Sequence, residues 1–190
     1  VDYKLMNVEA LWPRIDRPYK YDPSVGERGS SVPADLTDEE ASYEITLIIK
    51  PEQAKDLAKA MADTAKASGK HKDKVWSPGG LGDLFEKDEN CYRVKCNIKT
   101  YGDPGTKPVE FMDDGRKAEP GFQLTTGSIV HAMIRIAPWA YAGKIGVGLR
   151  PKAFKVVRLA ERTGGIQSDP FSDTSSGKST DDPFDDAIPF

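Results

Sequence analysis

Between Tyr43 and Lys50 the chain alternates, with Tyr43, Ile45, Leu47 and Ile49 on one side and Glu44, Thr46 and Lys50 on the other. Successive side chains of an extended strand point to opposite faces, so this spacing predicts a strand with one face buried. Pro51 follows, tolerated in a first helical turn because its missing N–H would have no partner there. Ala54, Leu57, Ala58, Met61 and Ala65 then recur at helical spacing while Lys55, Lys59, Asp63 and Lys66 face away. The pattern predicts one helix over 51–67, ending near Gly69, with an alanine-rich stripe suited to lying on a sheet. A second alternation sets Tyr92, Val94, Cys96 and Ile98 against Arg93, Lys95, Asn97, Lys99 and Tyr101. A third, over Ile129 to Ala137, sets Val130, Ala132, Ile134 and Ile136 against His131, Met133 and Arg135. Shorter strands are expected at Lys4 to Leu11, Pro108 to Met112, Ile145 to Leu149 and Phe154 to Leu159, with turns at 102–105 and at Asp113-Asp114-Gly115. Some six or seven short strands, one helix and turn-rich links describe a mainly β fold, a small barrel or sandwich rather than a parallel sheet.

Two segments break the periodicity. GKHKDKVWSPGGLGDLFEKDEN, over 69–90, reads as a long loop, a type of segment that tends to be functional or mobile, with a hinge at Gly79-Gly80-Leu81-Gly82. Past Arg162 the composition turns to Gly, Ser, Thr and Asp with three spaced Pro-Phe pairs, at 170–171, 183–184 and 189–190. Such a segment has too few apolar side chains to offset roughly 1–2 kcal/mol of backbone entropy per residue, so it reads as a flexible linker and disordered tail. The expected division is a folded domain over 1–163 and an appendage over 164–190.

Charge sharpens that division. The 190 residues carry a net charge of −3, but from Asp169 onward six Asp stand against the single Lys178. The rest holds 26 Lys and Arg against 24 Asp and Glu, so a mildly basic body carries an acidic tail. That arrangement recurs in proteins that bind a polyanion, and it also fits a tail that only confers solubility. No stretch approaches the roughly 20 apolar residues of a membrane span, and the N-terminus lacks a basic-then-apolar signal pattern, so a cytoplasmic protein is expected.

Few residues suggest chemistry. Cys91 and Cys96 lie an odd number of positions apart in a strand, which sends them to opposite faces and away from a shared metal or disulfide. His71 and His131 form no cluster with zinc-ligand spacing and read as packed or solvated. There is no phosphate-cradling Gly-rich loop ending in Lys-Ser/Thr, no Gly-x-Ser-x-Gly elbow and no Cys/His pair for a nucleophile. No catalytic residue, metal or cofactor is expected.

The basic positions suggest binding instead. Arg93, Lys95 and Lys99 on alternate positions of one strand repel one another unless solvent or an anion separates them, and Tyr101 sets a ring beside them. Phosphates need countercharge and bases need flat surfaces, which is what a single-stranded nucleic-acid groove supplies. Lys72, Lys74 and Trp76 add the same residue types in the 69–90 segment, and Arg135 adds a cation on a further strand. An ordinary solvent-facing strand would also be polar and lysine-rich, and Trp76 could equally be a plug against the barrel. Trp139 and Tyr141 suit either core packing or a platform at the rim, whereas Trp12, beside Pro13, reads as packing.

The last six residues, Asp185-Asp186-Ala187-Ile188-Pro189-Phe190, resemble the acidic tip of bacterial single-stranded-DNA-binding proteins, which typically ends in three Asp followed by Ile-Pro-Phe. Ala187 stands where the third Asp would be. The body is similar instead to phage-encoded single-stranded-DNA-binding proteins of the OB-fold type with an acidic, Phe-ended tail. The residues that carry this are Lys107-Pro108-Val109-Glu110-Phe111, Gly127-Ser128-Ile129-Val130, the turn and strand from Tyr141 to Leu149, and Phe154-Lys155-Val156-Val157. They are spread over about half of the body, in the family's order and spacing. The resemblance implies an OB-fold-like barrel of five or more strands with one inserted helix, single-stranded DNA bound with little sequence preference, and a role in DNA replication, recombination or repair. It leaves room for a homodimer. It also implies a tail that recruits replication or recombination proteins, such as a polymerase, a helicase-primase or host factors, and that can compete with DNA for the groove. Asp181, Asp182, Asp185, Asp186, Ile188, Pro189 and Phe190 would carry that role. Two other functions stay open on the residues alone: an interaction module of the replication machinery that holds no DNA, and a recombination nuclease.

Overall fold

The computed structural model describes residues 1–69, the backbone of Val75 and Trp76, and residues 85–161. Five long strands build the body: β1 (Asp2–Asp22), β3 (Ser42–Ile49), β6 (Cys91–Lys99), β8 (Ile129–Tyr141) and β9 (Lys144–Arg158). They lie side by side in the order β9-β8-β1-β3-β6, antiparallel throughout. The sheet curls until β6 comes beside β9, which makes the five-stranded, partly open barrel of the OB fold. Four short strands extend it. Strand β2 (Ser30–Pro33) pairs with β1 and β5 (Phe85–Asp88) with β6, while β4 (Val75–Trp76) and β7 (Val109–Phe111) run parallel to β9.

The alternations seen in the sequence line the interior. Tyr43, Ile45, Leu47 and Ile49 of β3 face Val94 and Cys96 of β6 and Val130, Ala132, Ile134 and Ile136 of β8 in one core, with Phe154 and Leu149 from β9. Truncating one of the fully buried members, such as Leu47, typically costs 2–5 kcal/mol. Helix α1 (Pro51–Ala67) sets Ala54, Leu57, Met61 and Ala65 against β6, β8 and β9. Gln53 fastens its start: Oε1 accepts from the Lys50 amide at 3.0 Å, and Nε2 donates to the Met6 carbonyl at 2.9 Å. The helix is therefore part of the core, as its stripe predicts.

Three expectations need correction. First, β1 does not end at Leu11. It continues to Asp22, with register shifts between Leu11 and Arg14 and between Arg14 and Tyr19. These irregularities take in Pro13 and Pro18, which cannot donate to a ladder and are accommodated in a sheet at bulges. Second, Ile145 to Leu149 and Phe154 to Arg158 are not separate strands but parts of β9, which ends one residue before Leu159 and whose register shift opposite Met133 and Ile134 absorbs Lys152, next to Pro151. Strand β8 correspondingly reaches Tyr141, where Ala142 (φ 48°) and Gly143 (φ 77°) make the two-residue turn that suits a twisted hairpin. Third, the 69–90 segment contains β4 and β5. The Gly79-Gly80-Leu81-Gly82 run, His71, Lys72, Lys74 and the entire 162–190 appendage lie outside the described residues. No helix among the described residues is long and apolar enough to cross a membrane.

Candidate nucleic-acid interface

The outer faces of β1, β3 and β6 form a continuous groove. Two clefts, of 440 and 610 Å³, meet along it and share Arg14, Glu44 and Lys95. Strand pairing puts these residues together: Arg14 of β1 lies opposite Glu44 of β3, and Glu44 opposite Asn97 of β6. Because β6 alternates, Arg93, Lys95, Asn97 and Lys99 project outward while Val94 and Cys96 go to the core. Burial pushes the Cys96 thiol up to about 12, so it is inert packing.

Each end of the groove carries an aromatic ring. At one, Trp12 is 55% exposed and the Arg93 guanidinium sits 5.8 Å from its ring centroid. The ring faces outward because of the bulge: Trp12 has φ 45°, and its amide donates to Thr126 Oγ1 at 2.9 Å instead of to a neighbouring strand. At the other, exposed Tyr21 donates its hydroxyl to the Arg28 carbonyl at 2.6 Å, and its ring occupies the space a Cβ at Gly29 would fill. Gly29 also has φ 73°, so no other residue fits that contact without strain. Tyr101, just past Lys99, is 78% exposed.

All the groove cations but Lys99 have acid partners among the described residues. Glu44 takes both Arg14 and Lys95, the latter at 2.8 Å. Burial works to raise the Glu44 carboxyl, but hydrogen bonds and charge from Lys95 and Arg14 outweigh it and hold it below the ordinary carboxylate range. Asp88 takes Arg93 at 2.8 Å and Asp38 takes Lys20 at 2.7 Å. Lys99 reaches only the Glu39 carbonyl, at 3.5 Å. Fixed cations spaced along a trough between exposed rings can hold an anionic chain whose flat groups stack.

Of the residues expected to bind, Arg93, Lys95 and Lys99 meet in this groove, with Tyr101 at its edge. Arg135 does not: it stands on β8, paired with Asp2 at 2.9 Å. The backbone of Trp76 pairs with Ile145 at the edge of the sheet, and Lys72 and Lys74 lie outside the described residues. Arg14, Lys20 and Tyr21 escaped the sequence reading, and Trp12, expected to pack, is exposed instead because the bulge turns its ring outward. The signals were Pro13 for Trp12 and Arg14 and Pro18 for Lys20 and Tyr21, since a proline inside a strand marks a bulge, which can turn a side chain outward. His131 accepts the Asn7 amide on Nδ1 at 3.1 Å, a structural role. Among the described residues no three His, Cys, Asp or Glu side chains are grouped to hold a metal.

No family model matches the chain, and no curated protein matches it in sequence. Solved structures do match its fold. The single-stranded DNA-binding protein from bacteriophage Enc34 superposes with a TM-score of 0.57 at 17% identity, over 88% of this chain and 87% of that one. The same phage protein in complex with ssDNA gives 0.57 at 19%, over 86% and 89%. The gp2.5 protein, a single-stranded DNA-binding protein encoded by bacteriophage T7, gives 0.56 at 16%, over 88% and 97%. The chain has the fold of these phage proteins.

Proposed function

We propose that this protein binds single-stranded DNA with little sequence preference, along the groove over β1, β3 and β6. The observation that carries this is the convergence of Arg93, Lys95 and Lys99 with the exposed Trp12 ring in one trough. The likeness in fold to a phage protein solved with ssDNA supports it. Arg14, Arg93, Lys95 and Lys99 contact phosphates, while Trp12, Tyr21 and Tyr101 offer faces on which bases stack. Stacking and charge are common to all bases, so affinity follows strand length more than sequence. The protein acts by binding rather than catalysis, in replication, recombination or repair in a bacterial host cytoplasm.

The acidic tail is the second part of the proposal. Asp181, Asp182, Asp185 and Asp186 imitate a polyanion and compete for the groove, and Ile188, Pro189 and Phe190 are gripped by a replication or recombination protein. Such a tethered competitor acts at high effective concentration.

Titrating fluorescent oligo-dT with the full chain, against single- and double-stranded competitors, tests this. Binding should be displaced by single strands and not by duplex. Changing Arg93, Lys95 and Lys99 together to Ala should reduce the slope of log affinity against log salt by about 2, from roughly 0.7 per lost phosphate contact. Deleting Asp181 to Phe190 should tighten binding at low salt. An unchanged slope in the triple variant removes β6 from the interface, and absence of any oligo-dT binding leaves an interaction module that holds no DNA.

A further inference from the structure

Between Glu119 and Glu161 the chain has no Asp or Glu, yet it holds Arg135, Lys144, Arg150, Lys152, Lys155 and Arg158. This stretch includes the whole β8–β9 ribbon, so the body's excess of positive charge is concentrated on two adjacent strands. Register makes the concentration acute. Arg135 and Arg150 are direct cross-strand partners, both exposed, a like-charge pairing that destabilises a ladder unless something answers it. Lys152, where the register shifts, lies beside them.

The answer within the fold is small. Asp2 bridges Arg135 at 2.9 Å and Lys152 at 2.6 Å, and those two hydrogen bonds draw its carboxyl down to about 2, so its capacity is taken. Among the described ion pairs none involves Arg150 or Lys107. Lys107 nevertheless lines one 320 Å³ cleft with Arg135, Arg150 and Lys152. Asp103, four residues before Lys107, accepts the Gly105 amide at 2.7 Å, and Glu110, three residues after it, is buried and makes no ion pair with it among the described residues. The cleft lies beside the end of β6: Ile98, next to Lys99 but on the opposite face of the strand, lines it, and the segment from Lys99 past exposed Tyr101 leads round to Lys107.

We infer that Lys107, Arg135, Arg150 and Lys152 form a second phosphate-binding surface, onto which a single strand leaving the groove past Tyr101 continues across the β6–β9 seam. The inference rests on the groove reading above. The ligand is the sugar-phosphate backbone: guanidinium groups side by side match successive phosphates, and the cleft holds no exposed aromatic to take a base.

The test is length dependence in the full chain. Lys107→Gln with Arg150→Gln removes two cations that are in none of the described ion pairs while leaving the Asp2 bridge intact. With an oligo-dT of about 6 nucleotides, short enough for the groove alone, affinity and salt slope should stay at wild-type values; with one of about 30 nucleotides the slope should fall by about 1.4, at roughly 0.7 per contact. Arg150→Lys should restore about half of that change, and matched melting curves show that each variant is folded. A long-oligonucleotide slope that does not move overturns the inference, as does an equal loss at both lengths, which would signal a general field effect. So does an effect that vanishes when Asp181, Asp182, Asp185 and Asp186 are all changed to Asn, since the surface would then hold the acidic tail. If Lys95→Ala with Lys99→Ala weakens both lengths while the Lys107/Arg150 pair weakens neither, the groove stands and this surface falls. If the wild-type chain binds neither length, both readings fall.

Discussion

In the groove, Arg14 and Lys95 share Glu44 and Arg93 is held by Asp88, whereas on the β8–β9 ribbon Arg150 faces an Arg135 already held by Asp2 and has no acid of its own among the described ion pairs. The same residue types do different work in these two places. A cation fixed by an acid has already given up much of its side-chain freedom, so it meets a phosphate at lower entropic cost but with part of its field cancelled. A cation without an acid keeps its full field, which steers an anion from a distance, at the expense of repulsion within the fold. The groove therefore supplies geometry and the ribbon supplies attraction.

The ribbon's neighbour β7 does carry an acid, and what becomes of it explains the imbalance. Glu110 points inward, 8% exposed, and its Oε1 has no hydrogen-bond partner among the described residues. Burial raises its carboxyl from an ordinary 4.5 to about 7, with Lys107 pulling down and Asp16 pushing up. A carboxyl raised in this way favours folding only while protonated: stability is full below pH 4.5, falls as pH rises through 7, and stays low beyond. The shift corresponds to about 3 kcal/mol of stability. Glu110→Gln should leave stability near pH 4 almost unchanged and raise it at pH 8.5, as read from urea unfolding at both values. Equal urea midpoints for the two chains at pH 8.5 would mean that the ionised Glu110 carries no penalty because Lys107 answers it, which would narrow the contrast between ribbon and groove.

Trp12 comes next in size. Its ring carries Arg93 on one side and is otherwise open, so Trp12→Ala should cost about 1–3 kcal/mol of oligo-dT affinity, roughly 5- to 150-fold, with little change in salt slope. The unchanged slope matters as much as the loss. Were Trp12 merely packing, folding stability would drop and affinity would not.

That residue also shows where the sequence was legible and where it was not. Strand β3, helix α1 and the two faces of β6 could be read because burial imposes a period on consecutive residues: Ile45 and Leu47, or Val94 and Cys96, are set by their neighbours in the chain. The groove is made otherwise. Arg14, Glu44 and Lys95 meet only through strand pairing, and a one-residue slip in β1 would turn Arg14 to the opposite face. The bulge that aims Trp12 is such a slip, marked in sequence only by Pro13. Half of the interface was thus visible on β6 alone, while the half on β1 depends on register that no local pattern encodes. The acid-free stretch from 120 to 160 was plain in the sequence, but its meaning depends on Arg135 and Arg150 falling opposite each other.

The smallest expected effect bears most directly on the contrast between the two surfaces. Glu44→Gln keeps a hydrogen-bonding side chain of the same shape and removes the charge that Arg14 and Lys95 share. If those cations are positioned but partly cancelled, releasing them should tighten oligo-dT binding by about 0.5–1 kcal/mol, roughly two- to five-fold, the usual worth of a half-exposed ion pair. The salt slope should steepen by up to about 0.7 for each cation freed to meet a phosphate. The groove would then behave as the ribbon does, with more field and less fixed geometry. Weaker binding by Glu44→Gln would mean the opposite, that holding Arg14 and Lys95 in place is worth more to the strand than the charge Glu44 cancels. The slope separates the two outcomes, because lost positioning leaves the number of phosphate contacts equal or smaller while lost cancellation can only raise it.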